Sequence, residues 1–502
     1  MDHFPVAPGS GHALNYFNDC GSDDPDALRF GRVFNRNSRQ IEGWMRYGND
    51  QGMLLLGPSG KGKGTRILMP NLLQCQRRSF FVVDPKGELA AVTARYRRTL
   101  GPVYVINPFG VIVKDFPGYD DLRSCGYNPL FGLDPRRPEF SREADMLAAA
   151  LVTRESKDPH WTDSARNLIA CALMWEVICA RRENRTPDMG NLRVTLSTPS
   201  APDRGADRPP IGIPALARQW MRTGLPALAA KAGQFVEWTQ EKPGIVSTAL
   251  TQTASLDDFE VITDLRRHAF DFADLKRANG QPITVYLIIP PDMMERHAKW
   301  LRLLLTAAIN AVMRPRQYGE PRVLFMLDEF AALGHLEIVS TVWALVRGYG
   351  VQIMPVLQNL TQLQRLYGDK GANEFIAQAG VISSFGTNDD ATAEWLSKRA
   401  GKKSAVIMGY GQNMTQGGQG TGQSSGPNWH EGEVKALRTE LLYGLKEGMM
   451  INYFDGVAPF VPSYAPTYWE VPEWEKRARF NPYRAAHASR QGGARGNPWA
   501  LN

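Results

Sequence analysis

The sequence predicts an α/β chain: a mainly parallel sheet with helices on its faces, interrupted by an all-helical insertion. Three observations predict it. Short apolar runs such as MLLL at 53–56, SFFVVD at 79–84 and VYVIN from Val103 alternate with helical patterning, a cadence that packs helices against parallel strands. Residues 141–248 then carry helix-like periodicity, as in DSARNLIACALMWEVICARR, with few β-branched runs. Buried-strand runs return afterwards: ITVYLIIP from Ile283, RVLFMLDEF from Arg322, GVQIMPVLQ from Gly350 and GVISSFGTND from Gly380. The sheet is resumed after the insertion.

Taken in order, residues 1–50 are rich in Gly, Asp, Asn and Pro without a sustained period and read as an N-terminal arm, order beginning near Gly52. Residues 51–140 form the first part of the sheet unit, 141–248 the all-α insertion and 249–482 the second part. Inside the insertion, the Pro-rich stretch 198–211 reads as a mobile loop. Residues 409–426, GYGQNMTQGGQGTGQSSG, read as a flexible loop that cannot bury a core, and the basic tail 483–502 as disordered.

Composition narrows the function classes. At 502 residues the chain exceeds one compact core, and 43% apolar residues is ordinary for a globular protein. Its 58 basic and 51 acidic residues leave +7, which permits contact with nucleic acid. The five cysteines (Cys20, Cys75, Cys125, Cys171 and Cys179) are scattered and form no CxxC pair, which argues against zinc or redox chemistry and for a reducing cytoplasm. The most apolar stretches, 303–313 and 168–180, are short or carry Glu176, so neither reads as a membrane span. The first residues, MDHFPVAPGSGH, lack the features of a secretory signal.

Chemistry enters at Gly57, Pro58, Ser59, Gly60, Lys61, Gly62, Lys63, Gly64 and Thr65, which follow the strand MLLL and lead into a helix. Gly57, four residues, then Gly62 and Lys63 match the phosphate-binding loop: backbone N–H groups curl around phosphate oxygens, the helix N-terminus adds positive charge, and Lys63 meets the outer phosphates. Gly64 departs from the pattern, standing where a Ser or Thr hydroxyl ligates magnesium; Thr65 follows one place later. The bland alternative is a Gly-rich turn before a helix.

Asp328 and Glu329 end the apolar run VLFML. Burying two acids at a strand end needs a reason, and a metal ion with an attacking water supplies one. Asp328 is then the magnesium carboxylate and Glu329 the group that polarises water against the γ-phosphate of ATP. The alternative is a strand emerging into solvent. Gln358, after VQIMPVL, either senses the γ-phosphate or is a polar strand end. Arg347, Arg365 and Arg399 are candidates for an arginine supplied in trans. Basic ARYRR at Ala94 either follows a phosphate backbone or is solvated charge, and Trp220 and Trp238 read as core.

The strings between these motifs resemble the coupling proteins of type IV secretion and conjugation systems. They are GPSGKGKGTRILMPNLL, FVVDPKGELAAVTARYRR with VYVINPF, CGYNPL, HWTDSARNL, TVYLIIPP, MLDEFAALG, and VLQNLTQLQRLYG with ISSFGTNDDATAEWLSKRAG, spanning most of the chain. The resemblance implies a RecA-like P-loop domain interrupted by an all-helical domain, binding ATP and Mg2+ and assembling as a homo-hexamer at the inner membrane. It implies as cargo a relaxase with single-stranded DNA, or effector proteins, handed to secretion-channel components. It places Lys63 on the phosphates, Asp328 on magnesium, Glu329 in catalysis, and matches Asp84 and Lys86 to the family's DPKGE string; the GKG ending also occurs in branches of this family. Members usually begin with transmembrane helices, and none is visible here. That implies a bacterial cytoplasmic protein peripheral to the inner membrane, a branch docking on a separate membrane-anchor protein, or a cytoplasmic piece. Rival readings are a DNA-pumping motor outside secretion, which would usually add a DNA-reading module, a nucleotide-bound adaptor that does not hydrolyse, and a small-molecule kinase, which the length disfavours.

Overall fold

The computed structural model describes residues 27–35, 40–153, 159–205, 209–277, 280–343, 345, 348–417 and 420–484. Its strands are β1 Leu28–Asn35, β2 Gln40–Tyr47, β3 Met53–Leu56, β4 Ser79–Asp84, β5 Val103–Ile106, β6 Thr284–Ile288, β7 Val323–Leu327, β8 Val351–Leu357, β9 Val381–Ser384, β10 Lys402–Gly417, β11 Gly420–Lys435, β12 Met449–Phe454 and β13 Val457–Tyr464. One sheet of eleven strands runs in the order β2-β1-β13-β12-β9-β3-β8-β7-β4-β6-β5. From β9 to β5 every pairing is parallel, and the edge from β12 to β2 is antiparallel.

The parallel strands are mostly apolar because both sheet faces are covered, with Ser79, Asp84, Thr284, Gln352, Ser383 and Ser384 as buried polar exceptions. Alternate residues serve opposite cores: Leu54, Leu56, Phe81 and Val83 pack with the helical insertion, and Met53, Leu55, Phe80 and Val82 with the other face. That second face is covered by α1 Met69–Gln74 and α2 Glu88–Leu100.

The insertion is helical as expected, formed by α3 Phe140–Leu151, α4 Pro159–Arg182, α5 Gly190–Ser197, α6 Ile213–Met221, α7 Pro226–Ala232 and α8 Lys242–Gln252. The helical run passes the expected end at 248 and continues through α9 Phe259–Leu265. Its core includes Trp220, fully buried, with Trp238 packed against it. The Pro-rich stretch is pinned by a two-way backbone pairing of Ala201 and Ile211 at 3.3 Å. After β6 the helix α10 Ala298–Val312 returns to the insertion side of the sheet.

Two expectations need correction. The supposed arm carries β1 and β2, so order begins before Gly52. Leu28, Phe30, Met45 and Tyr47 are buried, and Gly31 at φ +96 sits where the β1 pairing slips register, which breaks the period-2 signal. The Gly/Gln/Ser segment is not a loop: β10 and β11 pair antiparallel from Lys402↔Lys435 to Gly417↔Gly420. The pairing is made by backbone N–H and C=O groups, which carry no sequence signature, so a segment without alternating apolar residues can still form the ladder. Residues 485–502 lie outside the described residues, whereas 482–484 form a helical turn.

Candidate functional site

The phosphate-binding loop leaves β3 with Gly57 N–H donating to Leu357 O at 3.1 Å, which holds its first residue to the sheet. Gly60 and Gly62 adopt φ +79 and +86, the left-handed region that favours glycine. A Cβ on Gly62 would also meet Arg66 Cδ at 2.9 Å. The Lys63 ammonium folds back over the loop and donates to Gly57 O at 2.7 Å and Pro58 O at 3.3 Å. A π-helical turn over Gly64–Leu68 then feeds α1. The Thr65 hydroxyl donates to Gly62 O at 3.4 Å. Gly64 is free of steric demand, since a Cβ there would meet only Leu89 Cδ2 at 3.8 Å.

Parallel pairing brings the other candidates to the same edge. β8 lies between β3 and β7, and β4 lies beyond β7. Val83 pairs with Leu327, so Asp84 and Asp328 leave their strands level with one another. Gln358 leaves β8 between the phosphate loop and Asp328, and its backbone N–H donates to Gln362 Oε1 at 2.9 Å. Glu329 sits at φ +51, ψ 43, left-handed for a residue with a Cβ, and its N–H donates to Asp328 Oδ1 at 3.1 Å. Holding a non-glycine residue there costs on the order of 1–3 kcal/mol and persists where surrounding structure imposes it.

These side chains share one electrostatic environment. Burial pushes the Asp328 carboxyl up to about 6, Glu329 adding to the shift while Lys63 and Lys86 oppose it. Burial likewise lowers the Lys63 ammonium against the attraction of Asp328 and Glu329. Asp84 is raised to about 7 by burial, opposed by the Ala90 N–H that donates to it at 2.8 Å; Asp328 adds to the rise. A group of low-dielectric carboxyls beside Lys63 and Lys86 is built to receive compensating charge. One carboxylate and one hydroxyl beside a phosphate loop suit magnesium, which is held largely by substrate phosphates. Among the described residues no group of three His, Cys, Asp or Glu forms a metal cage.

A raised carboxyl makes the folded chain hold a proton that the unfolded chain has lost, so its stability contribution is complete at acid pH and disappears as pH rises through the folded value. For Asp84 that window runs from its ordinary 3.8 to about 7. We expect Asp84→Asn to flatten the wild-type fall in melting temperature across this window, in paired thermal scans of the nucleotide-free chain; parallel curves would refute it.

Other predicted residues have different places. Arg97 of the ARYRR cluster is buried and donates to Arg78 O at 2.7 Å and Thr284 Oγ1 at 2.8 Å, while Arg98 pairs with Asp121. Those two residues join strands and loops and are not free to follow a phosphate backbone. Arg399 lies over Trp395 at 5.4 Å, Arg365 is exposed, and Arg347 is outside the described residues.

The sequence reading missed the C-terminal segment that braces the site. Tyr483 Oη donates to Lys86 O at 2.8 Å and Asn481 Nδ2 to Glu88 Oε1 at 2.7 Å, gripping the DPKGE turn. Arg66, 6% exposed, donates to Ala465 O and Glu447 Oε1, both at 2.7 Å. The partners are separated by about four hundred positions, and no local signal announces them. Arg66→Ala removes a buried charge-assisted bond to Ala465 O worth roughly 1.5–3 kcal/mol, with less from the exposed Glu447 carboxylate, and takes the cation from Glu470, 3.7 Å away, so hydrogen exchange over 468–477 should rise by about tenfold or more.

Set beside known proteins, residues 16–427 match the model of the family described as Type IV secretory system Conjugative DNA transfer, more than half of the chain. The chain belongs to this family. Among curated members, Protein VirD4 of Rhizobium radiobacter is 27% identical over 356 residues, covering 70% of this chain and 48% of the relative. Conjugal transfer protein TraG of Escherichia coli is 24% identical over 384 residues, covering 72% and 57%. The chain therefore spans about half the length of the curated family members it matches. Plasmid coupling protein TrwB in complex with the ATP analogue ADPNP superposes with TM-score 0.59 at 16% identity, covering 89% of this chain and 96% of that one. TrwB in complex with ADP and Mg2+ gives 0.58 at 14%, covering 88% and 94%. The fold is thus the RecA-like P-loop fold with a helical insertion. Among the described residues, no helix is long and apolar enough to cross a membrane.

Proposed function

We propose that this chain is the ATP-hydrolysing motor of a type IV secretion coupling protein. The convergence of Lys63, Asp328 and Glu329 at one strand edge, with β8 between their two strands, carries the reading. Backbone N–H groups of residues 57–65 hold phosphate, and Lys63 turns from its loop carbonyls to the outer phosphate oxygens of ATP. Asp328 and the Thr65 hydroxyl would hold magnesium, which would neutralise charge on the phosphates. Glu329, fixed in its left-handed conformation, accepts the proton of the attacking water, and Gln358 orients that water from the intervening strand. TrwB binds an ATP analogue, a GTP analogue, and ADP with Mg2+ on the same fold, which supports a purine nucleotide with magnesium at this site.

In this reading residues 28–139 and 266–482, which carry the eleven-stranded sheet, form the nucleotide-binding domain and the helices of 140–265 the cargo-facing insertion. The motor works as a homo-hexamer in the bacterial cytoplasm, peripheral at the inner membrane through channel components and a membrane-anchor protein. Its cargo is a relaxase with single-stranded DNA, effector proteins, or both. ATP turnover of the purified chain with and without single-stranded DNA, with assembly mass recorded in each state, tests this. DNA-stimulated turnover in an assembled ring supports it; nucleotide binding without turnover in any state overturns the motor in favour of an adaptor.

A further inference from the structure

A buried arginine and a half-buried lysine, neither with a counter-ion among the described residues, lie between the helical insertion and the segment that follows Glu329. Arg302 on α10 is 7% exposed; its Nη2 donates to Thr153 Oγ1 at 3.0 Å, and its Nε has no hydrogen-bond partner among the described residues. A Cβ on Gly334 would meet its Nη1 at 3.9 Å, so the guanidinium lies against the turn begun by Glu329. Lys299, three residues earlier, lines the same opening. Burial holds both side chains below their ordinary range, Lys299 at about 8, where Arg302 repels it; among the described residues no carboxylate offsets either.

Two adjoining clefts share Thr153, Arg302 and His335. One, of about 840 Å³, extends to Arg166 and Glu337; the other, of about 640 Å³, extends to Lys299, Arg296 and Glu295. Among the described residues this guanidinium has one hydrogen bond and no carboxylate; burying a charge so sparsely matched is costly, and an anionic ligand would offset that cost. The guanidinium fork matches an oxyanion, and along the two clefts Arg166, Arg302, Lys299 and Arg296 outnumber Glu337 and Glu295, which suits a repeating backbone charge better than a lone carboxylate.

We infer that Arg302 and Lys299 hold a backbone phosphate of a nucleic-acid single strand lying in the cleft between the helical insertion and residues 331–335. The site deepens the cargo part of the proposed function, but it is read by binding, so absent turnover leaves it standing. Cargo there rests against the turn that begins at Glu329, giving a direct mechanical path between strand and hydrolytic edge.

The test is anisotropy of a fluorescein-labelled oligothymidylate with the nucleotide-free full chain over a potassium chloride series. Arg302→Met with Lys299→Met should weaken binding by about tenfold or more and reduce the salt slope by roughly 0.7 for each phosphate no longer neutralised. Arg302→Met should leave the ligand-free melting temperature unchanged or higher, because a buried charge is removed; an arginine kept for structure would lower it. Inorganic phosphate should stabilise the wild type more than Arg302→Met, and an Asp/Glu-rich peptide should not displace the oligonucleotide. Unchanged affinity and slope in the double variant overturn the inference. So does displacement by the peptide, or binding of inorganic phosphate without oligonucleotide. If Arg302→Met does not fold, Lys299→Met decides alone, and an unaltered salt slope there overturns the proposal.

Discussion

Lys63→Ala should lower ATP turnover by about 10²–10³-fold, the loss expected when one preorganised donor to developing phosphate charge is removed. The ammonium now spans Gly57 O and Pro58 O, so its removal takes a donor from both loop carbonyls, Pro58 O keeping the Lys61 N–H, as well as a cation from the phosphates. Nucleotide affinity should fall alongside turnover, measured by titration with a fluorescent ATP analogue. Burial holds this ammonium below its usual range, and Asp328 and Glu329 pull the other way. Without it, Asp328 keeps its burial and loses an opposing charge, so its carboxyl moves above about 6. Turnover of Lys63→Ala within a factor of two of wild type would remove the phosphate loop from the mechanism.

Glu329→Gln should behave differently: turnover falls by about 10²–10⁴-fold, the usual worth of a positioned general base, while nucleotide still binds. Glutamine keeps the size and the backbone bond from Glu329 N–H to Asp328 Oδ1 but accepts no proton. Loss of a neighbouring negative charge also lowers the Asp328 carboxyl, because Glu329 contributes to its rise. Single-turnover hydrolysis separates this from a binding defect. If affinity and turnover fall together, Glu329 supports the fold of the site and is not its base. Glu329→Gly offers a control, since glycine accepts φ +51 without strain and supplies no base; it should match the glutamine variant in turnover.

Much of this site was readable before the fold because its signals are local. The run from Gly57 to Thr65 sits within nine residues, and Asp328 with Glu329 stands at the end of a run whose apolarity marks a strand buried on both faces. Gly64 looked like a defect, yet its backbone neighbourhood has room for a side chain, so the departure is one of chemistry and not of space. Gly64→Ser should therefore fold normally and lower the magnesium concentration needed for nucleotide binding, measured by magnesium titration; an unchanged requirement would leave Thr65 as the sufficient hydroxyl.

The residues misread from sequence were those whose partners are distant. ARYRR looked like surface charge, but Arg97 is drawn inward by Arg78 O and Thr284 Oγ1, 19 and 187 positions away. The first fifty residues looked unstructured because a register slip at Gly31 hides the strand period, and only β13 beside β1 gives that strand a partner on its inner edge. Arg302 drew no notice, since one arginine on an apolar helix has no signature until the burial around it is known.

The sequence by itself determined the α/β class, the helical insertion, the phosphate loop and the acidic strand end, because periodicity and loop composition are properties of contiguous residues. The tertiary structure alone decided the strand order that sets β8 and Gln358 between the two motifs, the antiparallel edge from β12 to β2, and the clasp of Tyr483 and Asn481 on the DPKGE turn. Those choices depend on which strand edges and sheet faces remain uncovered once the parallel core has formed. That is a condition on the whole chain, and no window of residues contains it.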